Sequence, residues 1–141
     1  MTMKATDLMI RDLVTVRNSD IPKEVKAIKQ ADVINGTQWF EKGTWFVLID
    51  DIWWEIRYIN PIPLTEEILK KNFGDADPLG YYWHSTDFYD VNMYECSDSI
   101  WRIYCHYTDS TKSINHTTEI SYVHELQHFF RMCVIEKEIE L

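Results

Sequence analysis

The sharpest chemical pattern in the chain is H-E-x-x-H at residues 124–128, within a stretch of helical periodicity. Side chains four apart on a helix are neighbours, so both imidazoles would reach one Zn²⁺ while Glu125 polarised its water. The longer pattern that supplies a third histidine fails, because Arg131 and Val134 occupy its glycine and histidine positions. No spacing recommends a third ligand among His84, His106 and His116. We therefore predict no metal and no other cofactor, and a zinc-dependent hydrolase remains an alternative.

The other candidates for chemistry are weaker. Asp87 and Asp90 form a carboxylate pair that could serve acid–base work, but loop carboxylates are usually only solvated. Cys105 stands beside His106, yet neighbours on a strand point to opposite faces, so they do not form a nucleophile pair. The sequence has no glycine-rich phosphate loop and no nucleophile elbow. These features favour a protein that is not an enzyme.

Charge is distributed unevenly along the 141 residues, whose net charge is −9. Residues 1–64 carry 8 basic and 9 acidic side chains, whereas residues 65–141 carry 6 and 14, a balance of −8. Negative potential repels nucleic-acid phosphates and attracts basic surfaces. We expect a basic protein partner and no direct contact with nucleic acid.

Aromatic side chains are abundant, with six Trp, eight Tyr and six Phe. So many rings cannot all be buried in a small core, and an exposed Trp beside acidic residues is a common interface anchor. The predicted partner-binding set combines rings with carboxylates: Trp53, Trp54, Asp87, Asp90, Glu95 and Trp101.

The stretch from Asn60 to Gly74 organises the elements that must position these residues. Its prolines end any preceding strand, and Thr65 has the chemistry of a helix N-cap. Gly74 suits the left-handed stop of a helix. We predict a central helix that separates two units, residues 1–64 and 65–141, which share one interface or form a single domain.

Residues 1–64 are predicted to be rich in strands. Strand-like runs occur at Leu8–Val16, Glu24–Val33, Gln38–Phe40, Thr44–Ile49 and Trp53–Ile59. Turn signals separate them, including the hairpin signal Asn35-Gly36 and the break at Asp50-Asp51. Short strands at this spacing indicate a small bent antiparallel sheet or an SH3-like barrel.

Residues 65–141 are predicted to form an antiparallel meander packed by one helix, which makes the fold class α+β. The predicted strands are Tyr81–His84, Phe88–Cys96 and Ile100–Tyr107, followed by the turn-rich stretch Asp109–Thr118. The helix is predicted over Ser121–Cys133, with an apolar stripe of Val123, Leu126, Phe130, Cys133 and Val134. His124 and His128 fall on the flank of that stripe. The alternation in Glu136–Leu141 fits a short edge strand or a frayed tail.

Two stretches resemble recurring motifs of small phage- and prophage-type proteins of Bacteroidota bacteria. They are P-I-P-L-T-E-E-I-L-K-K-N-F-G at residues 61–74 and S-Y-V-H-E-L-Q-H-F-F at residues 121–130. The likeness covers most of residues 8–134. Those proteins more often have Asn at the position of His128, which would make the zinc pattern an accident of one substitution. The family is mostly uncharacterised, so the resemblance implies a setting and transfers no residue function.

Together with the charge and the rings, this setting implies a mobile-element protein that binds and inhibits a basic, nucleic-acid-handling host partner. A CRISPR effector is one candidate, such as a type VI RNA-guided RNA nuclease, and the chain would then be an anti-CRISPR protein. A phage structural or assembly module is another alternative. Three scattered cysteines and no signal peptide predict reduced thiols in the host cytoplasm, and the absence of a long apolar run predicts no membrane contact. We expect a monomer or weak dimer.

Overall fold

The computed structural model describes residues 3–4, 7–31, 43–107 and 115–141. These residues form an α+β fold, as predicted, with ten strands in three small antiparallel sheets and two helices. The chain divides into two compact units, Met1–Ile62 and Pro63–Leu141, called unit 1 and unit 2 below. The predicted strand Gln38–Phe40 and the hairpin signal at Asn35-Gly36 lie outside the described residues.

Unit 1 contains two three-stranded sheets. One has the order β2 (Lys23–Glu24), β1 (Leu13–Val16), β6 (Ile59–Pro61), and the other has the order β3 (Ala27–Gln30), β4 (Trp45–Ile49), β5 (Ile52–Glu55). The run predicted at Glu24–Val33 is described only as far as residue 31, and this part is split between the two sheets. This is the small bent arrangement of the prediction, and the described strands do not close into a barrel.

Two strand boundaries in unit 1 need correction, and one turn is sharper than expected. β1 begins only at Leu13, after a turn in which Arg11 has a φ of 74°. The alternating run Trp53–Ile59 is not one strand, because a 3-10 turn over Ile56–Tyr58 carries the chain from β5 to β6. Asp50 and Asp51 have φ values of 48° and 64°, and positive φ at both central residues is what a tight type I′ hairpin requires.

The core of unit 1 is aliphatic. Its buried members come from both sheets and from the N-terminal loop: Met3, Leu8, Val14, Val16, Val25, Val47, Ile49 and Ile59. Three partly buried side chains pack against this cluster: Ile28, Trp54 and Ile56. Burial of this kind contributes about 25 cal/mol per Å² of apolar surface, so the two small sheets are held together mainly by these side chains.

Unit 2 begins with the predicted central helix, α1 (Glu66–Phe73). The hydroxyl of Thr65 accepts the N–H of Ile68 at 3.4 Å, and Gly74 ends the helix with a φ of 78°. Leu69 is fully buried. The capping and stop residues therefore act as the sequence indicates.

The sheet of unit 2 has the order β10-β9-β8-β7. Its strands are β7 (Tyr82–Ser85), β8 (Tyr89–Ser97), β9 (Ile100–Tyr107) and β10 (Asn115–Ile120). The strand predicted over Ile100–Tyr107 is confirmed as β9, in which Trp101, Ile103 and Cys105 are buried while Arg102 is exposed. β10 is a correction to the turn-rich stretch Asp109–Thr118, of which residues 109–114 lie outside the described part.

The second helix, α2 (Val123–Met132), buries most of the predicted stripe. Its buried side chains are Val123, His124, Leu126, Phe129 and Phe130. Val134 departs from the stripe because the chain has already left the helix: its φ is 56° and its side chain is 80% exposed. The N-cap is Tyr122, so the helix begins two residues later than the predicted start at Ser121. None of the described helices has the length and apolar character needed to cross a membrane.

The last residues form neither an edge strand nor a frayed tail. Ile135 and Ile139 are buried. Asn72 of α1 holds the segment through two hydrogen bonds of 2.7 Å: its Nδ2 donates to the carbonyl oxygen of Glu140, and its Oδ1 accepts the N–H of Glu140. The side-chain amide of Asn72 therefore pairs with the backbone of Glu140 as a neighbouring strand would.

Candidate partner-binding site

Two of the predicted binding rings, Trp53 and Trp54, lie on β5 of unit 1 and already hold cations of the same chain. Trp53 is 39% exposed, and the Nζ of Lys29 lies 4.0 Å from its ring centroid. The guanidinium of Arg17 lies 5.1 Å from the centroid of Trp54 and 4.6 Å from that of Tyr58. A ring face occupied in this way offers less attraction to a cation of a partner.

Trp101 is the predicted binding residue that the structure removes from the surface. Its side chain is 3% exposed, and its Nε1–H donates to the carbonyl oxygen of Leu64 at 3.2 Å. The ring of Tyr82 meets it edge-on, with 6.0 Å between centroids. A buried ring with its one donor satisfied belongs to the core of unit 2, so the assignment of Trp101 as an exposed anchor is corrected.

The three predicted carboxylates do not form one group. Asp87 is exposed in the turn between β7 and β8, and Asp90 is partly buried on β8, opposite Ser85. Glu95 is exposed near the other end of the nine-residue strand β8. Because a strand rises about 3.3 Å per residue, Asp90 and Glu95 are separated by roughly 17 Å.

A cavity of about 270 Å³ opens beside Glu95. We call it the ring pocket. Its walls come from the start of α1, the loop between α1 and β7, and the neighbouring ends of β8 and β9. The residues that line it are Glu66, Ala76, Leu79, Gly80, Tyr81, Tyr82, Tyr94, Glu95 and Trp101. Two members of the predicted set, Glu95 and Trp101, therefore meet here, Trp101 from the buried side.

Tyrosine rings form much of the lining of the ring pocket. Tyr81 and Tyr94 have centroids 4.9 Å apart with an angle of 54° between their planes, and both are partly exposed. Trp83 continues this group outward, with its centroid 6.3 Å from that of Tyr81 and 45% of its side chain exposed. Sequence reasoning missed these three residues, although the short aromatic run at the start of β7 was visible.

Asp77 fixes the loop that walls the ring pocket. Its Oδ1 accepts the backbone N–H groups of Leu79 and Tyr81, each at 2.9 Å, and its Oδ2 accepts the indole N–H of Trp83 at 2.8 Å. These bonds, led by that of Trp83, lower the pKa of Asp77, so the carboxylate is ionised at neutral pH. Gly80, whose φ of 88° suits glycine, completes the turn.

The electrostatic surroundings of the ring pocket are negative. Glu66 and Glu95 are exposed on its lining, which contains no lysine or arginine among the described residues. Burial raises the pKa of Tyr82, and the charges of Glu66, Asp75 and Glu67 raise it further. The negative potential of those three carboxylates therefore extends to Tyr82, which is buried in the lining of the cavity.

The H-E-x-x-H residues are engaged in packing and capping. His124 is 2% exposed, which corrects its predicted place on a polar flank, and it stacks on Tyr122 at 5.9 Å. The Glu125 carboxylate accepts the N–H groups of Ser121 and Tyr122, at 2.6 Å and 3.2 Å. His128 lies 5.6 Å from His124 between centroids. The described part of the chain contains no group of three or more His, Cys, Asp or Glu placed to hold a metal ion.

The outward face of the unit 2 sheet carries further polar and aromatic side chains. Trp83, Asn92, Tyr104 and Thr117 stand opposite one another on the four successive strands. Tyr104 is partly exposed, so this row extends the accessible aromatic surface beyond the ring pocket.

Comparisons of the chain with known protein families, with curated proteins and with solved structures find no match.

Proposed function

We propose that this chain is a non-enzymatic protein of a mobile genetic element that binds and inhibits a basic, nucleic-acid-handling host partner. The observation that supports this best is the ring pocket, in which Tyr81 and Tyr94 adjoin the carboxylates of Glu66 and Glu95. Rings and carboxylates together form a surface suited to cationic side chains.

The charge of unit 2 supports the same proposal. Residues 65–141 have a balance of −8, and charge of one sign raises the rate of encounter with a surface of the other sign. The groove through which a nuclease holds nucleic acid is such a surface. An acidic protein seated there would exclude the phosphate backbone, and inhibition would follow from competition without any covalent step.

The test is a binding and inhibition assay with a purified type VI RNA-guided RNA nuclease, one candidate for the basic host partner. We expect affinity to fall steeply as NaCl is raised from about 50 to 300 mM, because screening weakens interactions between exposed charges. The double variant Glu66→Lys, Glu95→Lys should lose most binding and most inhibition of RNA cleavage. The matched control is the double variant Glu136→Lys, Glu140→Lys, which reverses the same number of charges at two other exposed positions of unit 2. The charge of Glu136 raises the pKa of Tyr89, which lies at the opposite end of β8.

Three results would count against the proposal. They are binding that does not change with salt, equal losses in the double variant and in the control, and no binding to this or other basic nucleases. A sequence-independent affinity of the isolated chain for RNA would also contradict it, since the proposal places the nucleic acid on the partner.

A second candidate function, a phage assembly module, is favoured by the accessible row on the unit 2 sheet. An exposed Trp83 beside other polar and aromatic side chains is a surface on which two copies could pair. Sedimentation velocity over a hundredfold range of concentration separates the candidates. Assembly predicts an oligomer that grows with concentration and is lost in Trp83→Ser, whereas the leading proposal predicts a monomer or weak dimer throughout.

A further inference from the structure

The size of the ring pocket limits its occupant to a small group. Pockets for whole small molecules usually have volumes of about 300–1,000 Å³. The ring pocket, at about 270 Å³, lies just below this range and is open to solvent. It therefore suits the end of one long side chain more closely than it suits a nucleotide.

The chemistry of the lining selects the type of side chain. A planar cation is attracted to an aromatic face within about 6 Å of the ring centroid, and the partly exposed Tyr81 and Tyr94 supply two rings of the lining. Glu66 and Glu95 are the acidic residues of the same lining, and one oxygen of Glu95 also accepts the N–H of Ser99 at 3.4 Å. Among the cations that stack on rings within the described chain, none lies over Tyr81 or Tyr94.

Arg102 is a cation of the same chain that lies close to the ring pocket. Its guanidinium reaches the hydroxyl of Tyr94 at 3.4 Å, but its ion pair, at 2.6 Å, is with Glu119 on β10. This arrangement leaves Glu66 and Glu95 as the carboxylates that line the pocket. Their charge is complementary to a basic guest.

From this geometry we infer that the ring pocket is a receptor for a single arginine side chain of the protein partner. The inference rests on the proposed function, because that function supplies the basic partner. Arginine is favoured over lysine because its planar guanidinium stacks on rings and bonds carboxylates through two parallel N–H groups. Lysine offers a compact, strongly hydrated charge that uses the rings less well.

The test uses the whole chain and three synthetic peptides that differ at one position. The peptides are acetyl-Gly-Ser-X-Ser-Gly-amide, where X is arginine, lysine or citrulline, the uncharged isostere of arginine. In ¹H–¹⁵N NMR titrations we expect the arginine peptide to shift the amides of Tyr81 and Tyr94 and the indole N–H of Trp101. The lysine peptide should bind more weakly, and the citrulline peptide should leave these signals unchanged.

Charge-neutral variants test the two carboxylates. Exposed ion pairs are worth little each, so Glu66→Gln and Glu95→Gln should each weaken binding of the arginine peptide about two- to fivefold. The control Glu136→Gln should bind like the parent chain. Equal shifts by the arginine and citrulline peptides, shifts that avoid the pocket, or unchanged affinity in both variants would overturn the inference.

Failure of this inference and failure of the proposed function are distinguishable. If the nuclease binds and is inhibited but Glu66→Gln and Glu95→Gln leave the arginine titration unchanged, the pocket assignment is wrong and the broader function stands. If the arginine peptide binds in the pocket but no basic nuclease does, the pocket is a guanidinium site and the proposed partner is wrong.

Discussion

Replacing Trp101 by phenylalanine distinguishes a core residue from a binding anchor. The indole is 3% exposed, and its N–H donates to the carbonyl oxygen of Leu64, which is itself buried. Phenylalanine retains one aromatic ring but has no donor. The substitution therefore leaves an acceptor without its partner and opens a space where the larger part of the indole was.

The size of the effect follows from these two losses. An unsatisfied buried polar group costs about 1–3 kcal/mol. Removal of buried ring atoms adds about 1 kcal/mol or more, depending on how far the surroundings relax. We expect the free energy of unfolding to fall by about 2–4 kcal/mol, less than the 5–15 kcal/mol of a typical domain, so the variant should still fold.

The assay is urea unfolding followed by far-ultraviolet circular dichroism, which does not depend on indole fluorescence. The matched control is Trp83→Phe, which also loses one indole hydrogen bond, in this case to Asp77, but from a side chain that is 45% exposed. The control should be much less destabilised. If Trp101→Phe unfolded like the parent chain while nuclease binding fell, the ring would be an interface anchor and the account of the unit 2 core would be wrong.

Four further changes have defined outcomes. Asn72→Ala should lower the free energy of unfolding by about 1–2 kcal/mol and deprotect residues 135–141 in hydrogen exchange, because the side chain loses two hydrogen bonds to Glu140 and one to Ile68 while alanine favours the helix. Burial, with a smaller effect of the charge of Lys137, lowers the pKa of His84 from 6.5. As the pH falls below about 6.5, the unfolded chain therefore binds a proton more readily than the folded chain, and the free energy of unfolding should decrease. NMR titration of the folded protein should give a pKa for His84 below 6.5. Iodoacetamide should label only Cys96 in the native protein, because the other two cysteines are buried and burial raises the pKa of Cys105 to about 12. Glu125→Gln should keep most of the stability and Glu125→Ala should lose about 0.5–2 kcal/mol, measured by thermal unfolding, as expected for a capping carboxylate.

Local signals predicted the elements that local interactions determine. Thr65 and Gly74 define α1 through a side-chain cap and a left-handed stop, and both depend on residues within one helical turn. The inward and outward positions of β9 follow from a strict alternation of two. That same alternation places Trp101 inside, so its choice as a surface anchor went against information that the sequence contained.

Features that depend on distant residues were not predictable from the sequence. β10 has the polar sequence N-H-T-T-E-I, and only its pairing with β9 makes it a strand. The run from Trp53 to Ile59 alternates strictly between Trp54 and Tyr58, yet its two ends pair with different strands, and a 3-10 turn lies between them. Pairing in both cases overrides local propensity.

The ring pocket was missed for a related reason. Its lining comes from α1, a loop and three strands, and Glu66 and Glu95 are neighbours only after the sheet has formed. The loop between α1 and β7, which forms another part of the lining, is positioned by the side chain of Asp77, which accepts hydrogen bonds from two backbone amides and an indole. The composition predicted a binding surface of carboxylates and rings, but no periodicity selects which of them share a cavity.

The acidic balance of unit 2 cannot all be available to a partner. The carboxylate of Asp77 holds a loop, that of Glu125 caps α2, and that of Glu119 pairs with Arg102. These groups add to the long-range field, which governs the rate of encounter, but their short-range bonding is already satisfied within the chain. In the proposed complex, recognition at contact falls to the two exposed carboxylates at the ring pocket, those of Glu66 and Glu95, although one oxygen of Glu95 also accepts the N–H of Ser99 at 3.4 Å. Under this proposal, charge reversal at Glu66 and Glu95 should increase the dissociation rate of the partner, whereas reversal at Glu136 should change mainly the association rate, because only the first pair would contact the partner.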